Sequence, residues 1–537
     1  MFYVLIDCKQ TQDYIFASRR LRGIRNGSRA LARADEIAGQ KATDLGGTTI
    51  RALGGVVITK FHDLPGARAF LTTARAVYSS FGAEIEAVCY EKDSVVDFYS
   101  DVLSPLQDQI RRKKEQPEGY MDGRPGSLLA VTCETSGRHP AVGLVQVNQN
   151  QISRVNASEK AKWTLPVADD ESEAIMANWA PVAFPRTFEG IVAWSTSETV
   201  TGQDTVGTSE ERMLGLVLAD VNGLGRLLQR FAVDEAKFST FSWALRACLR
   251  DSLSEALNSV LTPARARYVR QASSDKAVPF RLLFLGGDDL CFAVTGAYAL
   301  PLIKRMMEVF ERTSPVILVP FRNENVANDL PACLTLSAGV VIAPYKYPIL
   351  SFYRLAKDLE NRAKSQGRAW GALLGGLPPP SLVDVHIVAN DILGSLEQVR
   401  ASASQAWAGQ QTALYGGPYL APSVAGNPAA DRFLPLTALL EAADSLSCIA
   451  ARGKLNRFRE ILTRADALTL YTEWFDHLGP EVSAWTKVCR TLRLPSDRQR
   501  LPVLGMPENN TSLLDALELV PYAALRAEWE GRTLCGQ

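Results

Sequence analysis

The first ninety residues alternate between short apolar runs and longer stretches with helical spacing. The runs "FYVLID" and "AEIEAVCYE" predict strands, and "TTIRALGGVVITKF" predicts a hairpin that turns near Gly54 and Gly55. The segments between them predict two helices, the first interrupted near Asn26 and Gly27 and the second over "ARAFLTTARAVYSSFG". The resulting order, β-α-β-β-α-β, is that of a ferredoxin-like unit.

The same order returns in the middle of the chain. "MLGLVLADVNG" and "CLTLSAGVVIAP" predict strands, "FRLLFLGGDDLCFAVTG" predicts a hairpin, and helical spacing runs from Leu224 to about Val260. Two more helices are predicted over "LPLIKRMMEVFERT" and "ILSFYRLAKDLENRAKSQG". In both copies an acidic residue, Asp7 or Asp220, ends the first strand, and a Gly-Gly pair lies in the hairpin. We interpret this pattern as an internal duplication.

The rest of the chain lies between and after the two copies. The stretch between them contains the polar, turn-rich "RRKKEQPEGYMDGRPG", whereas "RFLPLTALLEAADSLSCIAARGKLNRFREILTRADAL" near the end has helical spacing. We therefore predict an α+β protein with four parts: residues 1–95, 96–206, 207–375 and a helical domain over 376–537.

Composition narrows the class of protein. Of the 537 residues, 47% are hydrophobic and 22% charged, as in ordinary globular proteins. The 58 basic residues equal the 58 acidic ones, which argues against a protein that mainly coats nucleic acid. No apolar run reaches the roughly 18 residues of a membrane span. The nine cysteines are scattered singly, which favours a reducing, cytoplasmic compartment over a disulfide framework.

Three aspartates of the second copy carry the candidate chemistry. Asp220 ends one predicted strand, and Asp288 and Asp289 lie on the hairpin that can neighbour it. Three carboxylates close together repel one another, and a divalent cation relieves that repulsion. An all-oxygen site selects Mg²⁺ or Mn²⁺, and two such ions can support phosphoryl transfer. Gly286 and Gly287 leave room for a nucleotide above the turn. The alternative is a solvated turn, because Gly and Asp are common turn residues.

The motifs around these aspartates resemble a known family. "GGDD", "LADVNGLGRLL", "SAGVVIAPYKYP" and "LAKDLENRAK" are similar to the catalytic palm of the large subunit of type III CRISPR effector complexes. "YIFASRRLRGIRNGSRAL" resembles that family's first palm, and "GGPYLAPS" with the following helices resembles its helical C-terminal domain. "VTCETSGRHPAV" resembles the remains of a zinc-binding insert, but Cys133 lacks a partner pair, so no zinc site is expected. The family's N-terminal HD nuclease domain is expected to be missing.

The resemblance implies a fold and an activity. The fold would be two ferredoxin-like palm domains, the first degenerate, with an intervening insert and a helical C-terminal domain. The activity would be synthesis of cyclic oligoadenylates from ATP with Mg²⁺ or Mn²⁺, in antiviral defence. The residues themselves leave open the base, the ring size and the linkage. Partners would be ATP and, in a complex, guide or target RNA and small helical subunits.

The resemblance also assigns roles to residues. Catalysis and metal binding would fall to the three aspartates and one backbone carbonyl: Asp220, Asp288, Asp289 and Val221. Nucleotide binding would involve Gly286, Gly287, Asn222, Ser337 and Lys364. Solvated or buried structural roles are the alternatives for the lysine and the serine.

Two departures from the family pattern matter. Asn222 stands where relatives often have a second aspartate, which would weaken metal binding. The first copy has "GGVV" instead of "GGDD", so it would hold the acceptor nucleotide without metal.

Basic and aromatic runs have competing interpretations. The arginines of Arg19–Arg25 either face phosphates or form a solvated helix face, and Arg111–Lys114 is expected to be ordinary surface. The aromatic residues of "FSTFSWALRACL" are expected in the core. A different class of function also stays open, namely a catalytically idle palm scaffold that binds RNA and partner proteins.

Overall fold

The computed structural model describes most of the chain. The described residues are 1–115, 131–137, 140–148, 151–165, 175, 184–192, 212–271, 278–322, 330–374, 378–388, 396–402, 404–407, 410–422, 428–450, 452–464, 482–493 and 512–529. All structural statements below concern these residues.

The first palm is a four-stranded antiparallel sheet with helices on its faces. Its strands are β1 (Phe2–Cys8), β2 (Thr48–Leu53), β3 (Val56–Phe61) and β4 (Ile85–Glu91). Its helices are α1 (Thr11–Phe16), α2 (Leu21–Asp44), α3 (Leu64–Ser80) and α4 (Ser104–Glu115), the last preceded by a π-helical turn over Tyr99–Leu103. The strand order is β2-β3-β1-β4, as expected for a ferredoxin-like unit.

The break in the first helical segment lies earlier than the sequence predicts. Residues 17–20 separate α1 from α2, whereas Asn26 and Gly27 lie buried inside α2. The Asn26 amide donates to the Lys162 carbonyl oxygen at 2.8 Å, so the polar residue is satisfied without breaking the helix. A Cβ on Gly27 would lie 3.3 Å from the Cα of Ile15, and the glycine thus allows the two helices to pack closely.

The second palm repeats this sheet and extends it. Its strands are β7 (Met213–Val221), β8 (Phe280–Leu285), β9 (Asp289–Thr295) and β10 (Leu336–Pro344), joined by β11 (Leu382–Ile387) and β14 (Tyr419–Leu420). The strand order is β14-β11-β10-β7-β9-β8, so the four palm strands have the order of the first sheet. Strands β7, β9 and β10 are buried on both faces, which explains the continuous apolar runs in the sequence.

Two long helices pack on the second sheet, α9 (Gly296–Thr313) and α11 (Ile349–Leu373). The other helices of this part of the chain are α7 (Leu224–Phe231), α8 (Glu235–Gln271) and α10 (Pro315–Arg322). The sheet continues past the domain boundary predicted at residue 375, because β11 pairs in parallel with β10 from Ser337 to Ile342. The segment from 382 to 387, expected in a helical domain, therefore belongs to the palm sheet.

Strand register shows how closely the two palms correspond. In the first palm, Asp7 of β1 pairs with Val56 of β3. In the second, Asp220 of β7 pairs with Asp289 of β9. The duplicated fold predicted from the sequence is confirmed, and valine stands in the first palm where the second has a carboxylate.

The remaining elements form the insert and the C-terminal part. The insert holds β5 (Gly143–Asn148), β6 (Gln151–Val155), α5 (Ala157–Thr164) and α6 (Phe188–Val192). The C-terminal part holds α12 (Leu396–Ser402), β12 (Ser404–Trp407), β13 (Gln410–Ala413), a 3₁₀ turn over Pro428–Asp431, α13 (Leu436–Ile449), α14 (Arg452–Arg464), α15 (Val482–Thr491) and α16 (Leu513–Trp529). Among the helices in the described ranges, none has the length and apolar character needed to cross a bilayer.

Candidate active site

A cavity of about 1280 Å³ lies between the two palms. Both hairpins contribute to its wall, the first through Gly54 and Gly55 and the second through Gly286 and Gly287. The hairpins nearly touch, since a Cβ on Gly54 would lie 3.4 Å from the backbone nitrogen of Gly287. The duplicated turns thus face each other across one shared site.

The three predicted aspartates meet at the second-palm side of this cavity. Asp220 and Asp289 are register partners on adjacent antiparallel strands, and Asp288 precedes Asp289 in the turn. The backbone N–H of Val221 donates to the carbonyl oxygen of Asp288 at 3.1 Å, which fixes the turn against the end of β7. All three aspartates line the cavity, whereas Val221 is buried behind them.

The carboxylates affect one another strongly. Burial, followed by the charges of Asp288 and Asp220, raises the pKa of Asp289 to about 7. Burial and the charge of Asp220 likewise raise the pKa of Asp288, although Arg51 and Lys364 act in the opposite direction. Burial is the largest cause of both shifts, and positive charge beside the carboxylates favours their ionised forms.

Lysines from α11 supply part of that charge. Lys364 Nζ lies 2.7 Å from a carboxylate oxygen of Asp220 and 3.6 Å from Glu360. Lys357 forms an ion pair of 2.5 Å with the buried Glu360 and lines the cavity. Lys364 itself is not among the residues that line the cavity, and its contact with the carboxylate cluster is the ion pair with Asp220.

The first palm repeats the aspartate-lysine arrangement. Lys114 Nζ of α4 lies 2.7 Å from Asp7, as Lys364 of α11 does from Asp220. Both lysines come from the helix that follows the last strand of their palm. Lys114 was expected to be ordinary surface, and comparison of the two copies is the sequence signal that identifies it.

Asn222 and Ser337 do not face the cavity. Ser337 is fully buried and donates to the side-chain oxygen of Asn222 at 2.7 Å, while the Asn222 amide donates to Thr335 at 3.1 Å and to the Pro380 carbonyl oxygen at 3.3 Å. Both polar side chains therefore hydrogen-bond within the protein, to each other and to residues near the start of β10 and β11. Neither is among the residues that line the cavity where a nucleotide was expected. They brace the strand ends that carry Asp220.

The first palm contributes basic and amide side chains to the cavity wall. Among them are Arg25, Arg29, Arg51, Lys114 and Gln12. The arginines of Arg19–Arg25 do not all have the same surroundings. Arg25 lines the cavity, where it could face phosphates, whereas the guanidinium of Arg22 lies 4.9 Å from the centre of the Trp163 ring. Basic side chains on the first-palm wall can contact phosphate oxygens, whereas the second-palm wall carries the three aspartates.

Trp243 contradicts the expectation that the aromatic residues of α8 are core. Its neighbours Phe238 and Phe241 are buried, but Trp243 is 49% exposed and lines the cavity. Helical spacing could have revealed this, because Trp243 falls outside the buried stripe formed by Phe238, Phe241 and Leu245.

The donor set fits a hard divalent cation in its chemistry. Carboxylate oxygens are the ligands that Mg²⁺ or Mn²⁺ prefers, and three aspartates line this side of the cavity. Within the described ranges, however, no group of three or more His, Cys, Asp or Glu side chains is already arranged around one metal position. One carboxylate oxygen of Asp220 instead pairs with the ammonium group of Lys364.

Two facing palms, with Asp288 and Asp289 on one hairpin and Asp220 on the adjoining strand, define a two-palm class of fold. Within that class, residues 213–370 match the model of the "Cas10/Cmr2, second palm domain" family. A search of the curated proteins gave no match.

Solved structures extend the similarity to nearly the whole chain. A chain of the apo Csm1–Csm4 cassette matches with a TM-score of 0.50 and 15% identity, covering 97% of this chain and 70% of that one. The cassette "in complex with one ATP" gives the same values. The Csm1–Csm4 subcomplex of the type III-A CRISPR-Csm interference complex matches with a TM-score of 0.50 and 16% identity, covering 97% and 69%. The resemblance predicted from the sequence is confirmed: the chain has a Cas10/Cmr2-type second palm and a Cas10-like fold.

Proposed function

We propose that the chain is a nucleotidyltransferase that converts ATP into cyclic oligoadenylates. The observation that carries this proposal is the register pairing of Asp220 with Asp289 at the edge of a cavity shared by two palms. The Csm1–Csm4 cassette, which has the same fold, has been solved with one ATP and with cA4. A role in type III CRISPR defence belongs to the same proposal.

The reaction joins two nucleotides held in the shared cavity. The 3′-hydroxyl oxygen of one nucleotide forms a bond to the α-phosphorus of the other, the bond to the β-phosphate oxygen breaks, and pyrophosphate leaves with the hydroxyl proton passing to solvent. The first palm, which has Val56 where the second has Asp289, holds the acceptor through Arg25, Arg29 and Lys114. A last step of the same kind closes the ring.

Asp220, Asp288, Asp289 and the carbonyl oxygen of Val221 would hold Mg²⁺ or Mn²⁺. Bound there, the cation would neutralise the triphosphate and lower the pKa of the attacking hydroxyl. Lys364 would then exchange its contact with Asp220 for a phosphate oxygen, since its ammonium lies within 2.7 Å of that carboxylate. Gly286 and Gly287 would keep the turn free of side chains beneath the nucleotide.

The test is synthesis of product from labelled ATP with Mg²⁺ or Mn²⁺, in the presence and absence of RNA. The double variant Asp288→Ala/Asp289→Ala should make none of the product that the original chain makes. The control is Asp44→Ala, which removes an exposed carboxylate at the end of α2, paired only with Lys41 and Gln40 of its own helix. No product from the original chain with any nucleotide, metal or RNA would contradict the proposal.

A second candidate function is the palm scaffold that binds RNA and partner proteins. One observation favours it: Lys364 already neutralises Asp220, so the second palm needs no cation to balance that carboxylate. Under this alternative, a helical subunit or RNA would bind the chain with equal affinity whether or not the aspartates are replaced. Copurification with guide RNA from the original chain and the double variant separates binding from catalysis.

A further inference from the structure

Gln12, on the first palm, reaches a carboxylate of the second. It lies on α1, lines the cavity and hydrogen-bonds Asp289. The hydroxyl of Tyr353, on α11, donates to the side-chain oxygen of the same Gln12. With its oxygen engaged by the tyrosine, Gln12 has only its NH₂ group to donate, and Asp289 accepts from it.

Tyr353 is itself fixed by the first palm. Its ring stacks on that of Phe16 with centroids 4.2 Å apart, and the residue is 5% exposed. The orientation of the Gln12 amide is therefore determined by packing between α1 and α11. A chain of contacts runs from the first palm to the hairpin carboxylate: Phe16, Tyr353, Gln12 and Asp289.

Arg51 is the second residue of the first palm that reaches the second-palm hairpin. It lies on β2 of the first palm, and its guanidinium occupies the space where a side chain at Gly287 would begin. Its charge acts on Asp288, the residue that follows this glycine. The Arg51 Nε is buried and makes no hydrogen bond in the described structure.

We propose that the first palm is part of the second palm's site: Gln12 positions Asp289 for its ligand, and Arg51 holds the charge of Asp288 while no cation is bound. This inference rests on the proposed function, because it assigns roles relative to the Asp220–Asp288–Asp289 cluster. Both are positioning residues by this assignment. The degenerate palm would then be needed for chemistry in addition to holding a nucleotide.

The two residues have opposite effects on cation binding. Removing Gln12 leaves Asp289 free to turn away from its ligand, and loss of such supporting contacts commonly weakens metal affinity by about tenfold or more. Removing Arg51 deletes a positive charge beside Asp288, so a divalent cation should bind several-fold more tightly in the absence of nucleotide. A general loosening of the fold would weaken binding in both cases.

The experiment measures Mn²⁺ binding to the full chain without nucleotide, from the electron paramagnetic resonance signal of free Mn²⁺. Gln12→Met should raise the Kd about tenfold, and Tyr353→Phe should raise it less. The double variant should match Gln12→Met, because the tyrosine acts through the glutamine. Additive effects of the two changes, or no effect of Gln12→Met, would overturn the role of Gln12.

Arg51 is tested with the same probe. Arg51→Ala should lower the Kd for Mn²⁺ several-fold and Arg51→Lys should leave it near the original value. An unchanged or higher Kd in Arg51→Ala would overturn its role. The controls are Gln107→Ala on α4 and Arg75→Ala on α3, both exposed and outside the cavity wall.

Asp289→Asn separates this inference from the proposed function. If Asp289→Asn binds Mn²⁺ as tightly as the original chain, the metal site and the proposed function fail together. If Asp289→Asn loses Mn²⁺ while Gln12→Met and Arg51→Ala behave like the controls, only the role of the first palm fails. Thermal unfolding midpoints within the range of the controls show that each variant is folded.

Discussion

Gly287 is the residue at which the two palms leave least room for a side chain. A Cβ there would collide with the guanidinium of Arg51, which comes from the opposite palm. The backbone nitrogen of Gly287 also lies 3.4 Å from the Cβ position of Gly54. A side chain at this position could therefore be accommodated only if the end of the Arg51 side chain moved.

Gly287→Ala should reduce product synthesis. The added methyl group meets the end of the flexible Arg51 side chain, which must move away from the hairpin. The thermal unfolding midpoint should change little by comparison, since the strained contact lies at a cavity and the sheet registers are untouched. Activity and unfolding are measured on the same preparation.

Gly225→Ala is the matched control for that substitution. Gly225 is the second residue of α7, and no atom lies within 4 Å of its Cβ position. Alanine is the better helix former by up to about 1 kcal/mol, so this variant should be as stable as the original or slightly more so. Equal activity of Gly287→Ala and Gly225→Ala would contradict the close inter-palm contact.

Trp243 should contribute to nucleotide affinity. An indole that is 49% exposed on the cavity wall can stack on a base, and base–aromatic stacking is worth about 1–3 kcal/mol. Trp243→Ala is therefore expected to raise the KM for ATP by roughly 5- to 150-fold, with Trp243→Phe close to the original. A KM unchanged in Trp243→Ala would show that the ring has no contact with substrate.

The sequence could identify Asp220, Asp288 and Asp289, because each sits at the end of a clear apolar strand. It could not identify Gln12 or Arg51, since neither has a motif and both act across the contact between two domains distant in sequence. For Ser337 and Asn222, the sequence cannot decide between nucleotide binding and a structural role, for a related reason. A polar residue at a strand end can face a ligand or a neighbouring strand, and only the register decides.

Among the elements, β1 and β7 show most clearly how duplication and divergence combine. The penultimate residue of each strand is an aspartate that pairs at 2.7 Å with a lysine. That lysine comes from the helix after β4 in the first palm and after β10 in the second. The strand paired with each differs: β3 offers Val56 and β9 offers Asp289. The strand order and the lysine have been kept in both copies, whereas the hairpin carboxylates are present in one.

Strand β11 shows why the end of the second palm could not be placed from the sequence. The run of alternating residues over 382–387 lies just before segments with helical spacing, and no hairpin turn marks its parallel pairing with β10. Parallel partners can lie far apart along the chain, so the pairing leaves no local signal. The hairpins β2–β3 and β8–β9 were predictable because a glycine turn joins their strands.

Helix α16 carries two buried carboxylates that should make stability depend on pH. Burial raises the pKa of Asp515 to about 7, and burial with the charge of Asp515 raises that of Glu518 to about 8. Asp515 accepts hydrogen bonds from the Tyr419 hydroxyl and the Gly416 backbone N–H, and Glu518 accepts from Tyr415. Arg362 and Arg459 face the pair and act in the opposite direction.

The sign follows from proton binding. Between the ordinary values, 3.8 and 4.5, and the raised ones, the folded chain keeps protons that the unfolded chain has lost. The free energy of unfolding should therefore fall as pH rises from about 4.5 to 8.

Urea unfolding midpoints between pH 5.5 and 8 should decline in the original chain, and less steeply in Asp515→Asn/Glu518→Gln. The exposed Glu441 of α13 provides the control Glu441→Gln; a slope shared by all three chains would contradict the assignment.

The molecule as a whole is built around the contact between its palms. One apolar core cluster includes residues of both, among them Ile15 and Phe16 of the first palm and Phe284 and Tyr353 of the second. The rings of Phe16 and Phe284 lie edge to face at 6.2 Å. Because this packing adjoins the cavity, a change in the contact between the palms must also change the site.

Nucleotide binding should consequently protect both hairpins from amide hydrogen exchange. ATP with Mg²⁺ is expected to slow exchange in Thr48–Phe61 and in Phe280–Thr295, by up to about a hundredfold when ATP is at a hundred times its Kd. The β5–β6 hairpin of the insert does not line the cavity and serves as the internal reference.

Protection confined to Phe280–Thr295 would mean that the second palm binds nucleotide alone. Protection of both hairpins in the original chain, and of neither in Asp288→Ala/Asp289→Ala, would mean that the carboxylates control binding across the whole cavity. The intermediate case is also informative: if the double variant keeps protection only at Thr48–Phe61, the first palm holds its nucleotide independently. That result would divide the cavity into an acceptor half, bound through Arg25, Arg29 and Lys114, and a half that requires the cation.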